Sequence, residues 1–213
     1  MKLYTYFRSS CAYRVRIALN LKKLPYTMIP VHLLKNGGEQ NSDGFKKVNP
    51  MAQVPSLELE SLTLSQSVAI IEYLEEKFPQ TPLLPKDLEE RAIIRQMYEI
   101  INSGIQPLQG LAVTQYLDRE LKASPDQKAQ WLNHWISKGL ESFEAILKKY
   151  SGTYCFGDQV TMADCFLVPQ FFGAVRFKVD TRSFPLSQKI YDHCLRQDAF
   201  FKASPAQQPD FEA

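Results

Sequence analysis

Arg8-Ser-Ser-Cys-Ala-Tyr-Arg-Val-Arg-Ile-Ala-Leu19, RSSCAYRVRIAL, is the stretch on which the reading of this chain turns. It follows an alternating run, Lys2 to Tyr6, that predicts a short strand, and its own apolar spacing (Val15, Ala18, Leu19) predicts a helix over 10–23. Two hydroxyls and a thiol therefore stand where a strand turns into a helix. A helix start carries free N–H groups and the positive end of the macrodipole, so it stabilises a thiolate. That thiol belongs either to Cys11 or to a ligand, and Arg14 and Arg16 add positive charge. The plainer reading of the same residues is a capping Ser10 followed by a small buried cysteine.

Working outward, residues 1–80 alternate strands and helices. Tyr26 to Leu33 reads as a strand, 35–48 as a loop with one helical turn, and Ser56–Glu60 with Leu62–Leu64 as a hairpin. Ser65 to Phe78 reads as a helix with Ile70, Ile71, Leu74 and Phe78 on one side. Three prolines between Pro79 and Pro85 mark a connection, placed at 81–86. From 87 onward the pattern is helical. Asp87-x-x-Glu90, Ser124-Pro-Asp-Gln127 and Thr161-Met-Ala-Asp164 are helix-start signals. Amphipathic runs follow them over 88–117 (interrupted at Gly104 and Pro107), 125–150 and 162 to about 175. The proline-broken C-terminal stretch reads as a loose tail.

Composition narrows the function. The chain has 213 residues, 45% hydrophobic and 23% charged, with a net charge of only +2 and mixed signs throughout, which does not suit a nucleic-acid binder. No apolar run reaches the roughly 18 residues a membrane span requires. No charged leader precedes an apolar segment, so a cytoplasmic protein is expected. The four cysteines and three histidines show no metal-ligand spacing. Asp164 is a capping carboxylate for a core helix. Val54-Pro55 opens a strand, and Gln66-Ser67 opens a helix, each with an ordinary structural explanation as well as a ligand-binding one.

The order of these elements carries more than any one of them. With RSSCAYRVRIAL, the stretches NPMAQVP (49–55), QSVAIIEYLE (66–75), GIQPLQ (104–109), VTMAD (160–164) and RFKVD (176–180) make the chain similar, over nearly its full length, to the cytosolic glutathione transferases of the zeta class. The resemblance implies an α/β plus all-α fold: a thioredoxin-like domain with a mixed four-stranded sheet over 1–80 and a helical domain over 87–213. It implies glutathione as cofactor, held by Gln40, Val54, a cis Pro55, Gln66, Ser67 and Gln106. Ser9 would hydrogen-bond the glutathione thiolate, with Ser10 and Cys11 lining the same pocket. Arg8, Arg14 and Arg176 would attract a small substrate bearing two carboxylates. The implied reaction is cis–trans isomerisation of maleylacetoacetate to fumarylacetoacetate in tyrosine and phenylalanine breakdown, by thiolate addition, bond rotation and elimination, in a homodimer.

The same site would serve maleylpyruvate isomerisation or transfer to α-halo acids, and a non-catalytic binding module of this fold is the alternative of another class. Arg16, about 200° around the helix from the Ser9 side, reads as a surface or salt-bridge residue. An ion pair with Asp180 or a C-terminal acid is the plain alternative for Arg176. One departure from the family signature stands out: Ala12-Tyr13 occupies the usual Ser-Trp position, a change expected to adjust substrate preference.

Overall fold

Strand β1 (Lys2–Thr5) lies at the centre of the N-terminal sheet because Leu3 and Thr5 both point into a closed interior. The structure, a computed structural model, describes residues 1–212. β1 pairs in parallel with β2 (Thr27–Pro30), Leu3 facing Met28. On its other edge it pairs antiparallel with β3 (Ser56–Glu58), Leu3 facing Leu57, and β3 continues to β4 (Thr63–Ser65). The sheet is mixed and four-stranded, in the order β2-β1-β3-β4. A parallel pair needs a crossover, and α1 (Ser10–Leu21) supplies it.

Between β2 and β3 the expected loop holds two 3-10 turns, Lys35–Gly37 and Glu39–Asn41, then α2 (Asp43–Val48), capped by Ser42. Gly38 has φ +92, and a Cβ there would fall 2.5 Å from the Gln40 amide nitrogen, so the turn and the Gln40 side chain require a glycine. Tyr6, Phe7, Val31, Phe45 and Val54 form a small apolar cluster of their own. After β4, α3 (Ser67–Lys77) returns along the sheet. The buried pair Lys22–Glu75 (2.7 Å) ties the end of α1 to α3, and the same ammonium donates to the carbonyls of Phe78 and Thr81.

The second unit, Leu83–Cys194, is helical. It comprises α4 (Leu88–Glu99), a π-helical turn over Ile100–Ile105, α5 (Gln106–Gln109), α6 (Leu111–Arg119), α7 (Pro125–Tyr150), α8 (Met162–Arg176) and most of α9 (Pro185–Leu195). Asp87 caps α4 by accepting from the Glu89 and Glu90 N–H groups, and Ser124 with Gln127 forms a full capping box on α7. The expected interruption near Gly104 is the π turn, whose Ile105 lies against Gly139, where no side chain would fit. Asp164 is fully buried and accepts from the Cys155 N–H and from both the N–H and hydroxyl of Thr161, a structural task.

The C-terminal stretch is not a loose tail. From Leu195 onward it groups with residues 1–82, not with the helical unit, through α10 (Asp198–Ala203) and a 3-10 turn at Pro205–Gln207. Phe200 and Ala203 are fully buried, and the Phe200, Ala199 and Ala203 carbonyls accept from Tyr13, Asn20 and Arg16 of α1. Arg16, in turn, is not at the surface. Every side chain from Ala12 to Leu19 is buried, because α1 packs against α3 and this returning segment while Arg16 reaches Thr5 of β1. A helix enclosed on all sides has no outward face for an arginine.

Candidate active site in the N-terminal unit

The turn from β1 into α1 is built on Ser9. Its backbone is extended (φ −72, ψ 117), and its Oγ accepts from the Ala12 N–H at 3.2 Å, so Ser9 and not Ser10 is the N-cap. Capping occupies an oxygen lone pair and leaves the hydroxyl proton available as a donor. The first turn of α1 contains no acidic residue to neutralise the dipole. Ser10 and Cys11 sit in that turn, half-buried. Cys11 is the one thiol short of full burial, since Cys155, Cys165 and Cys194 are closed off. Burial pushes the Cys155 and Cys194 thiols well up, with Asp164 adding to it, so neither is a nucleophile.

The start of α3 is the second element. Gln66 precedes it at φ 72, a conformation that costs a non-glycine residue on the order of 1–3 kcal/mol and recurs at ligand clamps. Ser67 opens the helix, which has neither a side-chain cap nor an acid in its first turn. Its Oγ accepts from Arg14 Nη1 at 3.1 Å. The expected role of Arg14 changes accordingly. It is fully buried rather than an exposed cation, and its bond to Ser67 links the starts of α1 and α3.

Four further expected residues, Val54, Pro55, Gln40 and Arg8, lie in the same unit. The Val54–Pro55 bond is cis. Among the described residues neither the N–H nor the C=O of Val54 takes part in a hydrogen bond. Gln40 is buried; its Nε2 donates to the Leu33 carbonyl at 3.3 Å, while its Oε1 is buried without a partner among the described residues. Arg8 stays exposed, its guanidinium 5.5 Å from the centre of the Phe7 ring.

Residues 8–77 match the family model for the glutathione S-transferase N-terminal domain, and residues 108–199 the model for its C-terminal domain. The chain belongs to the glutathione S-transferase family. It is 49% identical to the probable maleylacetoacetate isomerase 2 of Drosophila melanogaster, over 98% of this chain and 89% of that one. Its fold overlays, with a TM-score of 0.96 and 42% identity over the whole of both chains, a holo structure of a bacterial zeta-class maleylpyruvate isomerase. A maleylacetoacetate isomerase of Anaeromyxobacter dehalogenans 2CP-1, solved with dicarboxyethyl glutathione and citrate in its active site, gives 37% identity and a TM-score of 0.87 over 100% of this chain and 97% of that one.

Two of the expected residues belong to the helical unit of this transferase. Gln106 is half-buried at the start of α5, and its Oε1 accepts from Gln109, whose amide pairs both ways with buried Gln170 at 2.8 and 3.0 Å. Arg176 ends α8, exposed, with its guanidinium 4.1 Å from the Phe177 ring centre. Asp180, offered as its plain partner, binds Arg182 instead at 2.6 and 2.8 Å. Tyr13 does not edge the site: it is buried and donates to the Phe200 carbonyl, and Ala12 is sealed, so the departure from the family signature faces the interior.

Sequence reasoning missed the residues that hold the Ser9 turn from behind. Arg16 Nη1 donates to Thr5 Oγ1 (2.9 Å) and the Tyr6 carbonyl (3.3 Å), and Nη2 donates to the Phe7 carbonyl (3.0 Å). Burial without a contacting carboxylate lowers its pKa to about 10. Asp210, in the segment set aside as tail, accepts from the Phe7 N–H at 2.9 Å. No local pattern could have flagged an acceptor two hundred residues away.

Among the described residues no group of three His, Cys, Asp or Glu side chains is placed to hold a metal ion, and no helix is long and apolar enough to cross a membrane.

Proposed function

We propose that this chain is a glutathione-dependent cis–trans isomerase of small cis-enedioic acids, with maleylacetoacetate as first substrate and fumarylacetoacetate as product. The observation that carries the reading is Ser9: a capping hydroxyl with its proton still to give, at a helix start without an acid. Such a group stabilises a thiolate placed above it. The rest of the site fits the tripeptide. The start of α3, with Ser67 backed by Arg14, suits the γ-glutamyl carboxylate, and Gln66 stands beside it. Val54, preceding the cis Pro55, offers an N–H and a C=O for the cysteinyl residue. The orphaned Oε1 of Gln40 suits a donor from the glycyl end.

Glutathione, when bound, supplies the thiol nucleophile that adds beside the double bond and leaves after it has turned. The chain's own work is to hold that thiol ionised and to orient the diacid. Ser9 donates to the sulfur, with Ser10 and Cys11 completing the turn around it. Arg8 and Arg176 are the exposed cations assigned to the substrate carboxylates, and Gln106 is the helical unit's candidate for glutathione. Arg14 acts through Ser67. We assign 1–80 to glutathione, 81–86 to the connection and 87–213 to the substrate side, apart from the returning segment. A cytosolic homodimer completes the proposal on the strength of family membership, and light scattering of the pure protein tests the assembly.

Maleylpyruvate is the second reading, favoured by the overlay with the maleylpyruvate isomerase at a TM-score of 0.96. The test is turnover of maleylacetoacetate and maleylpyruvate side by side, with and without glutathione. Rapid conversion of the first that vanishes without glutathione supports the proposal. Preference for the second moves the substrate, and turnover of neither by protein that still binds glutathione overturns isomerisation.

A further inference from the structure

The Tyr6–Phe7 peptide group is held at both of its polar ends. Its carbonyl accepts from the Ser9 N–H (3.0 Å) and from buried Arg16 (3.3 Å), while its N–H donates to Asp210 (2.9 Å). The orientation of this one peptide plane therefore sets where the Ser9 backbone hangs. Arg16 Nη2 fixes the next carbonyl, Phe7, at 3.0 Å, and Arg16 Nε takes the Ala203 carbonyl at 3.0 Å, seven residues before Asp210. The rings of Phe211 and Phe7 pack edge-to-face at 5.5 Å. Glu212 then bonds Lys35 and approaches His32, in the connection that carries Gln40. The second oxygen of Asp210 is buried too, without a partner among the described residues, so this carboxylate is not a solvated surface acid.

We propose that Asp210 is a positioning residue for Ser9: by accepting the Phe7 N–H opposite Arg16, it locks the peptide plane from which the Ser9 turn is suspended. The inference rests on the glutathione-dependent reading above and extends it to a residue far outside the ligand-binding motifs. A serine displaced by a fraction of an ångström still caps α1 and still leaves glutathione its other contacts. What it loses is alignment with the thiolate, so turnover falls more than affinity.

The experiment uses full-length Asp210→Ala and Asp210→Asn, with Asp198→Asn, an exposed acid of the same segment, as the surface control. Three quantities are read: kcat and KM, the midpoint of thiolate absorbance of bound glutathione against pH, and hydrogen exchange of the Phe7 amide. Asp210→Ala is expected to lower kcat about tenfold, the scale of a displaced catalytic group, with KM for glutathione little changed. The thiolate midpoint rises and the Phe7 amide exchanges faster. Asp210→Asn keeps an acceptor for the Phe7 N–H and is expected to restore all three. Wild-type kcat and midpoint in Asp210→Ala overturn the proposal, as does an Asp210→Asn variant damaged equally. Should Asp210→Ala not fold, Asp210→Glu, with its acceptor displaced by one methylene, decides between the same two outcomes. If the wild-type protein itself fails to ionise glutathione, the functional reading fails before any variant is compared, so the two failures are distinct.

Discussion

Replacing Ser9 by alanine removes an observed interaction and a proposed one, made by different atoms of one hydroxyl. The oxygen caps α1 through the Ala12 N–H, and losing a serine cap costs about 1 kcal/mol, a fall of roughly 2–4 °C in Tm for a chain of this size. The proton is the proposed donor to the thiolate, and a hydrogen bond to a charged group contributes about 1.5–3 kcal/mol. At about 1.4 kcal/mol per pH unit, the thiol of bound glutathione should titrate roughly one to two units higher. Turnover near neutral pH should fall roughly ten- to a hundredfold, because the thiolate fraction falls with it. The sign of the pH dependence separates this cause from simple damage. Above the raised midpoint the thiolate forms without help, so the deficit in kcat should shrink as pH rises. The assay is kcat and KM for glutathione from pH 6 to 10, beside a titration of thiolate absorbance. Ser9→Asp sharpens it: aspartate caps as well as serine, so Tm holds, but its charge repels the thiolate and turnover should fall below that of Ser9→Ala. A deficit of equal size at every pH, or one carried by KM, refutes the assignment of Ser9 as the thiolate donor.

Ser67→Ala should show the opposite split, with KM for glutathione raised roughly tenfold and kcat kept, since the γ-glutamyl end stays bound throughout the reaction; unchanged KM removes Ser67 from the site. Glu75→Leu leaves the Lys22 ammonium buried with only two carbonyls, and should lower stability in urea unfolding by about 3–5 kcal/mol, with much of the loss recovered in the Lys22→Met, Glu75→Leu double variant. Arg182 depresses the Asp180 carboxyl to about 2, so its resonance in a carboxyl-carbon NMR titration should move at that pH; in Arg182→Ala it should move higher but stay below the ordinary 3.8, because the N–H of residue 182 still donates to Asp180 Oδ1. Because the shift is downward, whatever this exposed pair adds to stability is present above pH 3.8 and disappears as the pH falls through about 2, and salt weakens it.

Elements whose signals are local were legible in the sequence. Ser124-Pro-Asp-Gln127 both starts and caps α7, and the helix begins at Pro125 as the motif requires. β1, α1, the hairpin and α3 appear in order because each is short, periodic and bounded by its own turn residues. What the sequence could not show depends on partners remote in the chain. The helical wheel placed Arg16 outside because it assumes one buried face, whereas α1 is enclosed by a segment 187 residues further on. That segment was read as loose because its prolines are visible locally and the burial of Phe200 and Ala203 is not. At the candidate site, the family motifs pointed to Ser9, Gln40, Gln66 and Ser67, whose roles are proposals. The shift of the cap from Ser10 to Ser9 and the link from Arg14 to Ser67 needed coordinates.

The N-terminal unit is discontinuous in sequence: Met1–Pro82 is completed by residues that come after the helical unit. Recombination between relatives at residue 82 would therefore exchange more than a substrate-side domain. It would also pair one parent's Tyr13, Arg16 and Phe7 with the other parent's Phe200, Ala203 and Asp210. Chimaeras that return to the first parent near residue 195 should keep that fit, and those that do not should lose it even where every ligand-binding residue is inherited intact.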